Sequence, residues 1–499
     1  MKKLSFILAV LLSVTVHAQN PVQKYVDQLK GTEELKEAVW GIKAIKLKGE
    51  VVVDYNGGMR MIPASNMKLL TTGIALNELG ADYRFSTKLA CSGEISDGVL
   101  NGDLYIVGGG DPTIGDRDSI AVALQTTFSQ WEKIIRDAGI TRIEGRVIGD
   151  GRYFDGEHQN YSWMLEDCAA GDGTVLTGLS FGGGLQSFTV SPGAKAGDPV
   201  KVEAVFPETP WMTWDHSCTT GAAGTSDQLY YSCSDLSPAA SMTGTLAVDV
   251  RPKRITCANC YGAMTCAYYF YRYLENQGIT ASDGPADIDP KGRIRDFVNE
   301  DLMKAAVVQD SLRYLGQTLS PALKDIARHT NNVSNNYYAE SFLKVLAKEK
   351  NGSASLKSCQ ETAAASLKKL GVSGVERMQI FDGCGLSRKN YVSPDFFVRF
   401  LTAMHSSKEY SAFLNSLPKP GKGTLATRMT SAPESTRARV YMKSGSMNGV
   451  RCYSGYILPT GGNDEDIIVF SFMTNNTVVA VSRMNFIIDK TVSLLAAEN

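Results

Sequence analysis

Apolar positions along this 499-residue chain follow two rhythms, and the change from one to the other sets the expected elements. Met67 to Leu79 is an apolar, helix-compatible run that Gly80 can end from just past the last turn. Further helical stretches are expected at about 120–138, at 261–276 with Gly278 after it, and at 296–304, 334–349, 355–370 and 394–405. An amphipathic helix over 479–497 closes the chain. The strand rhythm is expected at 51–62, where Val51-Val52-Val53 and Met59-Arg60-Met61 flank Asn56-Gly57 as a hairpin. That hairpin runs directly into Pro63 and Ser65, pinning the start of the 67–79 helix to a sheet. Leu104 to Val107 is a short strand ending in Gly108-Gly109-Gly110-Asp111-Pro112, which lacks the lysine of a phosphate loop and is expected as a tight turn. Strands follow at 146–149, 438–446, 450–458 and 466–474, the last two joined through Gly461-Gly462-Asn463-Asp464.

Between about 170 and 255 the texture changes to short strands rich in Gly, Ser, Thr and Cys, with Trp211 and Trp214 among turn residues. This reads as a small β-rich insertion, followed by a polar linker at 283–292. The three late antiparallel strands, the closing helix and the early hairpin predict a sheet covered by helices, an α/β (α+β) class. The length calls for two or three domains rather than one core.

Composition adds a compartment. Lys2-Lys3, the apolar run Leu4 to Val16 and the small residue Ala18 form a signal-peptide pattern with cleavage after Ala18. Removing it takes the formal charge from −1 to −3, since only Lys2 and Lys3 are lost from the charged residues. No basic run or aromatic–basic stripe points to nucleic acid, and no later apolar stretch is long enough to span a bilayer. All ten cysteines follow the signal segment, an even count that in an exported protein favours local disulfides. Cys257-x-x-Cys260 with Cys266 lacks the second close pair that a zinc ribbon needs. No metal and no cofactor are expected.

Candidate chemistry begins at Ser65-Asn66-Met67-Lys68. Residues three apart share a helical face, so the Lys68 ammonium can reach the Ser65 hydroxyl. A buried lysine of lowered pKa can take the proton that makes a serine nucleophilic. The same four residues could equally be a helix start followed by a solvated lysine. Ser334-Asn335-Asn336 heads a helical run, either as a cap or as a turn presenting a hydroxyl and an amide to one site. Lys443-Ser444-Gly445-Ser446 lies on a strand. There Lys443 can hold an anionic group, Gly445 permits close backbone approach, and the backbone of Ser446 can donate to an oxyanion. A rival, Gly178-Leu179-Ser180-Phe181-Gly182, matches a nucleophile elbow, but Gly183-Gly184 follows where a helix should start, and histidines are scarce.

S-x-x-K, S-x-N and K-[ST]-G in this order form the signature of penicillin-binding proteins and class A β-lactamases. Here 266 positions separate Lys68 from Ser334 and 107 separate Asn336 from Lys443, so whole domains lie between the first two motifs. In this the chain resembles the D-alanyl-D-alanine carboxypeptidase/endopeptidase family, the class C low-molecular-mass penicillin-binding proteins. The likeness extends to Ile62-Pro63-Ala64-Ser65, to Leu104 through Thr113 and to Val190-Ser191-Pro192-Gly193. It continues at Asp382 through Arg388, at Leu417-Pro418 with Gly423-Thr424-Leu425, and at Met442-Lys443-Ser444-Gly445. Asn335 stands where aspartate is usual, Ser444 where threonine is commoner, and Cys384 where serine is usual.

The resemblance implies a DD-peptidase domain over 19–83 and 293–499, an inserted domain over 84–170 and 256–292, and the β-rich domain over 171–255 nested within it. It implies Ser65, Lys68, Ser334, Asn336 and Lys443 as catalytic groups, Ser65, Ser444, Gly445 and Ser446 around the oxyanion and substrate, and Asp155 and Arg388, with Phe154 and Trp163, at the substrate side chain. The partners implied are peptidoglycan stem peptides in the periplasm and β-lactams as covalent inhibitors. The alternatives are a serine β-lactamase sharing the three motifs and a non-catalytic envelope-binding or scaffold protein on the same fold.

Overall fold

The early strand rhythm does form a hairpin, but with a different partner from the expected one. The computed structural model describes residues 20–235, 237–288, 292, 294–295 and 311–498. In it, Val51–Tyr55 pairs antiparallel with Val39–Lys46. The turn between them contains Gly49 at φ +94°, a conformation glycine adopts without strain. Asn56-Gly57 does not join two strands. Asp54 accepts the Gly57 N–H at 3.3 Å, Asn56 gives Nδ2 to the Trp40 carbonyl, and Met61 only bridges Val392. The side-chain closure turns the chain aside toward Pro63. The expected signal segment 1–18 and the expected helix 296–304 lie outside the described residues.

This hairpin completes a five-stranded antiparallel sheet in the order Val440–Met447, Val450–Ile457, Ile468–Asn475, Val39–Lys46, Val51–Tyr55. Alternation along the central strand assigns its two faces. Ile468, Phe470 and Phe472 join the core under the Pro21–Leu29 and Val481–Ala497 helices, whereas Val469 and Met473 join the opposite core. That opposite core is built by Met67–Leu79, Asn336–Asn351, Leu356–Lys369 and Pro394–His405. The sheet covered by helices is therefore the expected architecture, and the Met67–Leu79 helix has the expected ends. Its C-cap is Gly80 at φ +92°, with the N–H returned to the Leu76 carbonyl.

A six-stranded mixed sheet follows the order Ile294–Arg295, Pro285–Ile288, Val147–Asp150, Leu104–Val107, Ser86–Cys91, Arg313–Leu319. Pro285–Ile288 falls where a linker was expected. It pairs parallel with Val147–Asp150, because Pro285 through Ile288 are all buried. Helices Leu124–Asp137 and Gly262–Asn276 supply Trp131 and Phe270 to the neighbouring core, with ring centroids 5.1 Å apart. The stretch 185–258 forms two three-stranded sheets, the expected β-rich unit. No helix among the described residues is long and apolar enough to cross a membrane.

The cysteines depart from expectation: all ten are free. Cys91, Cys266, Cys359, Cys384 and Cys452 are buried at separate places and pack as small apolar side chains. The two sulfurs of Cys233 and Cys260 approach to 3.1 Å as a thiol–thiol hydrogen bond.

Candidate active site

Ser65 lies in a 3₁₀ turn, Ala64–Asn66, that leads straight into the Met67–Leu79 helix. Ala64 is left-handed at φ +47°, a conformation costly for a residue with a Cβ and found mostly where surrounding structure imposes it. Two glycines do so here. A Cβ on Gly445 would lie 2.6 Å from the Pro63 carbonyl oxygen and 3.1 Å from the Ser65 nitrogen. One on Gly385, itself at φ +90°, would lie 1.8 Å from the Ala64 carbonyl oxygen. Asn66 ties the same turn to the sheet by donating Nδ2 to Ser454 Oγ at 2.8 Å, and Asn475 brackets Ile62 through both its N–H and its carbonyl.

Lys68 is 0 % exposed. Its ammonium donates to Ser65 Oγ at 3.0 Å, to Asn336 Oδ1 at 2.6 Å and to the Cys384 carbonyl at 2.7 Å. Loss of hydration pushes its pKa below the ordinary lysine value, against the opposing influence of Cys384, Asp382, Glu340 and Asp172. Lys68 is thus next to the hydroxyl, easily deprotonated for a lysine, and fixed in direction.

Ser334 caps the Leu323–Val333 helix in the left-handed region at φ +63° and ψ +38°. Asn335 is the N-cap of the next helix and accepts from the Tyr338 N–H. The cap falls on Asn335, while its neighbours Ser334 and Asn336 both line one cleft. The left-handed residue reverses the chain between two helices, setting Ser334 and Asn336 against one cleft. Lys443, also 0 % exposed, donates to Ser334 Oγ at 3.0 Å and to the Ser444 carbonyl at 2.7 Å. Burial and then the neighbouring Lys68 charge hold its pKa well below the lysine range.

These groups surround a cleft of about 1070 Å³ lined by Ser65, Ser334, Asn336, Arg388 and Ser446 among others. Ser446 lies on the edge strand of the sheet, where every other N–H points out of the ladder. Ser444 turns its hydroxyl to Thr424 Oγ1 at 3.2 Å. Arg388 reaches the Asn448 carbonyl at 3.5 Å and Met164 Sδ at 3.3 Å. Asp155 is a correction: it lines a different cavity, where it accepts from Ser353 Oγ and from the Ala354 N–H, capping the approach to the Leu356–Lys369 helix. Phe154 is buried in the core, and Trp163 donates to Asp382 Oδ2 at 2.9 Å.

Glu166, Asp167 and Asp172, which the sequence reading did not single out, line the same cleft as Arg388. Burial and the charges of Asp172 and Glu166 raise the Asp167 pKa. Their only signal was acidity in an insertion, which is ordinary on any surface. The rival Ser180 is fully buried and accepts from the Tyr337 phenol at 3.0 Å, with no histidine in that bond.

Compared with known proteins, residues 22–497 match the model of the D-Ala-D-Ala carboxypeptidase 3 (S13) family. The chain belongs to this family. A D-alanyl-D-alanine carboxypeptidase of an Actinomadura species is 29% identical over 475 residues, covering 90% of this chain and 80% of that protein. The D-alanyl-D-alanine carboxypeptidase DacB of Haemophilus influenzae is 23% identical over 489 residues, covering 93% of this chain and 91% of that protein. The crystal structure of penicillin binding protein 4 (dacB) from Haemophilus influenzae superposes with a TM-score of 0.78 at 20% identity, covering 96% of this chain and 99% of that one. A β-lactam complex of the same protein gives 0.71. The fold of this S13 chain is therefore that of a DD-peptidase with inserted domains.

Proposed function

We propose that the protein is an exported serine DD-peptidase that hydrolyses D-Ala-D-Ala or D-Ala–meso-diaminopimelate-type bonds of peptidoglycan stem peptides through an acyl-enzyme on Ser65. The observation that carries this reading is the 3.0 Å contact between Ser65 Oγ and the wholly buried Lys68 ammonium. Family membership supports the reaction class.

In this reading Lys68 in its neutral form takes the Ser65 proton as Oγ attacks the carbonyl of the penultimate D-alanine. The backbone N–H groups of Ser65 and Ser446 receive the developing oxyanion. Asn336 orients the acyl side while its Oδ1 holds Lys68 in line. Ser334 passes a proton to the leaving amine. Lys443, bound to Ser334, Ser444 and Gly445 form the end of the cleft that receives the terminal carboxylate, whose arrival favours the charged form of Lys443. Water then releases the acyl group by the reverse proton path.

One cleft lined by Arg388 together with Glu166, Asp167 and Asp172 suits a stem-peptide side chain bearing both a carboxylate and an ammonium. Lys2-Lys3 and the apolar run before Ala18 support export. The proposed division places the peptidase domain at 19–83 and 293–499, with Arg313–Leu319 paired to Ser86–Cys91 of the outer insertion. Labelling with a fluorescent penicillin, beside Ser65→Ala and alongside release of D-alanine from a stem pentapeptide, tests the reading. A lasting adduct and hydrolysis, both lost in Ser65→Ala, are expected. Rapid turnover of the penicillin would indicate a β-lactamase, and no adduct a scaffold.

A further inference from the structure

A second cavity of about 760 Å³, sharing no lining residue with the substrate cleft, opens to solvent between the segment 157–163 and the Asn336–Asn351 helix. Glu340 forms part of its wall although it is only 6 % exposed. It lies four residues beyond Asn336, on the same helical face. Glu340 Oε1 accepts from the Gly383 N–H at 2.7 Å and from the Cys384 N–H at 2.8 Å. The carbonyls of the same two residues accept from Thr71 Oγ1 at 2.6 Å and from Lys68 Nζ at 2.7 Å. The Gly383–Cys384 segment is therefore held on one side by the carboxyl and on the other by the Met67–Leu79 helix.

We propose that Glu340 is a positioning residue for Lys68: it fixes the peptide whose carbonyl anchors the lysine, and its negative charge, exchanging protons with solvent through the second cavity, sets how readily Lys68 holds a proton. The inference rests on the reading of Lys68 as the base. The groups facing Glu340 are Asp382 and Cys384 on the loop, Lys344 on its own helix, Lys68 on the Met67–Leu79 helix and Cys359 on the Leu356–Lys369 helix. Burial first, and then the Asp382 charge, push the Glu340 carboxyl up to about 7. Its charge thus changes across neutral pH, where a general base works best. When ionised it favours the protonated form of Lys68. The second cavity lets it exchange protons while substrate fills the cleft.

The test is the pH dependence of acylation by a chromogenic cephalosporin in wild type, Glu340→Gln and Glu340→Ala. Glutamine keeps an oxygen for both N–H groups but carries no charge. The acid limb of its profile is expected to move down by about half a pH unit or more, with the fold and the maximal rate near wild type. Alanine loses the acceptor, and its rate is expected to fall about tenfold or more at every pH, with glutamine restoring it. A glutamine variant whose limb stays where wild type has it, whatever its rate, overturns the inference. So does an alanine variant that matches glutamine throughout. Wild type that is never acylated instead contradicts the proposed function itself.

Discussion

Lys443 Nζ lies 3.0 Å from Ser334 Oγ, joining residues 109 positions apart in the sequence. The bond is buried at the lysine end, so removing the hydroxyl strands a donor in a place water does not readily reach. Ser334→Ala is expected to lower the acylation rate by about 10²-fold or more if Ser334 relays a proton. It should also cost about 1–3 kcal/mol in stability. Penicillin labelling rates and thermal melts measure the two effects separately. An unchanged rate with only a lowered Tm would leave Ser334 a structural residue.

Gly445 and Gly385 hold the Ser65 turn from opposite sides, each without room for a Cβ. Gly385→Ala meets both the Ala64 carbonyl and an unfavourable φ of +90°. It should therefore lose more stability than Gly445→Ala, with overpacking alone costing about 1–3 kcal/mol. Both variants should lose penicillin labelling beyond what their melting temperatures explain, because the turn they displace carries the nucleophile.

Lys68 sets a sign for pH dependence. Its pKa is lowered in the folded protein, so between that value and the ordinary value of about 10.4 the unfolded chain binds more protons. Stability contributed through this residue is lowest at low pH and recovers as pH rises through that window. Wild type is accordingly expected to gain Tm relative to Lys68→Met as pH rises toward the ordinary lysine value of about 10.4. The acylation rate should rise over the same direction as neutral Lys68 accumulates, while Lys68→Met stays inactive throughout.

Arg388 and Asp167 face the cleft, and Asp155 does not. Arg388→Ala and Asp167→Asn are expected to lower kcat/KM on stem peptides carrying diaminopimelate by about tenfold, with little change in acylation by a small penicillin. Asp155→Ala should leave both rates near wild type and cost about 1 kcal/mol through the lost hydrogen bonds to Ser353 and Ala354. Comparing the three variants on both substrates checks the assignment.

The three motifs were legible because each couples a residue pattern to a local element. Ser65 and Lys68 needed only a helix, and Met67–Leu79 has the expected ends. Lys443 needed only a strand, and Val440–Met447 supplies it. What stayed hidden depended on pairing at a distance. Val51–Tyr55 chose Val39–Lys46 over the segment beyond Asn56-Gly57, because a side-chain closure at Asp54 can turn a chain as well as a hairpin can. Pro285–Ile288 looked polar in its surroundings yet is buried by the parallel neighbour Val147–Asp150. Asp155 was expected at the substrate side chain from resemblance alone, which could not say that its carboxylate turns to the Ala354 amide. Glu340 was invisible because its partners are backbone groups 43 and 44 positions away.

The most direct measurement of the central claim is peptide mass spectrometry of the protein after reaction with penicillin. A single covalent adduct, its mass that of the opened β-lactam, is expected on the Ser65 hydroxyl, and none in Lys68→Met. An adduct on any other residue, or none on a folded wild-type protein, would contradict it.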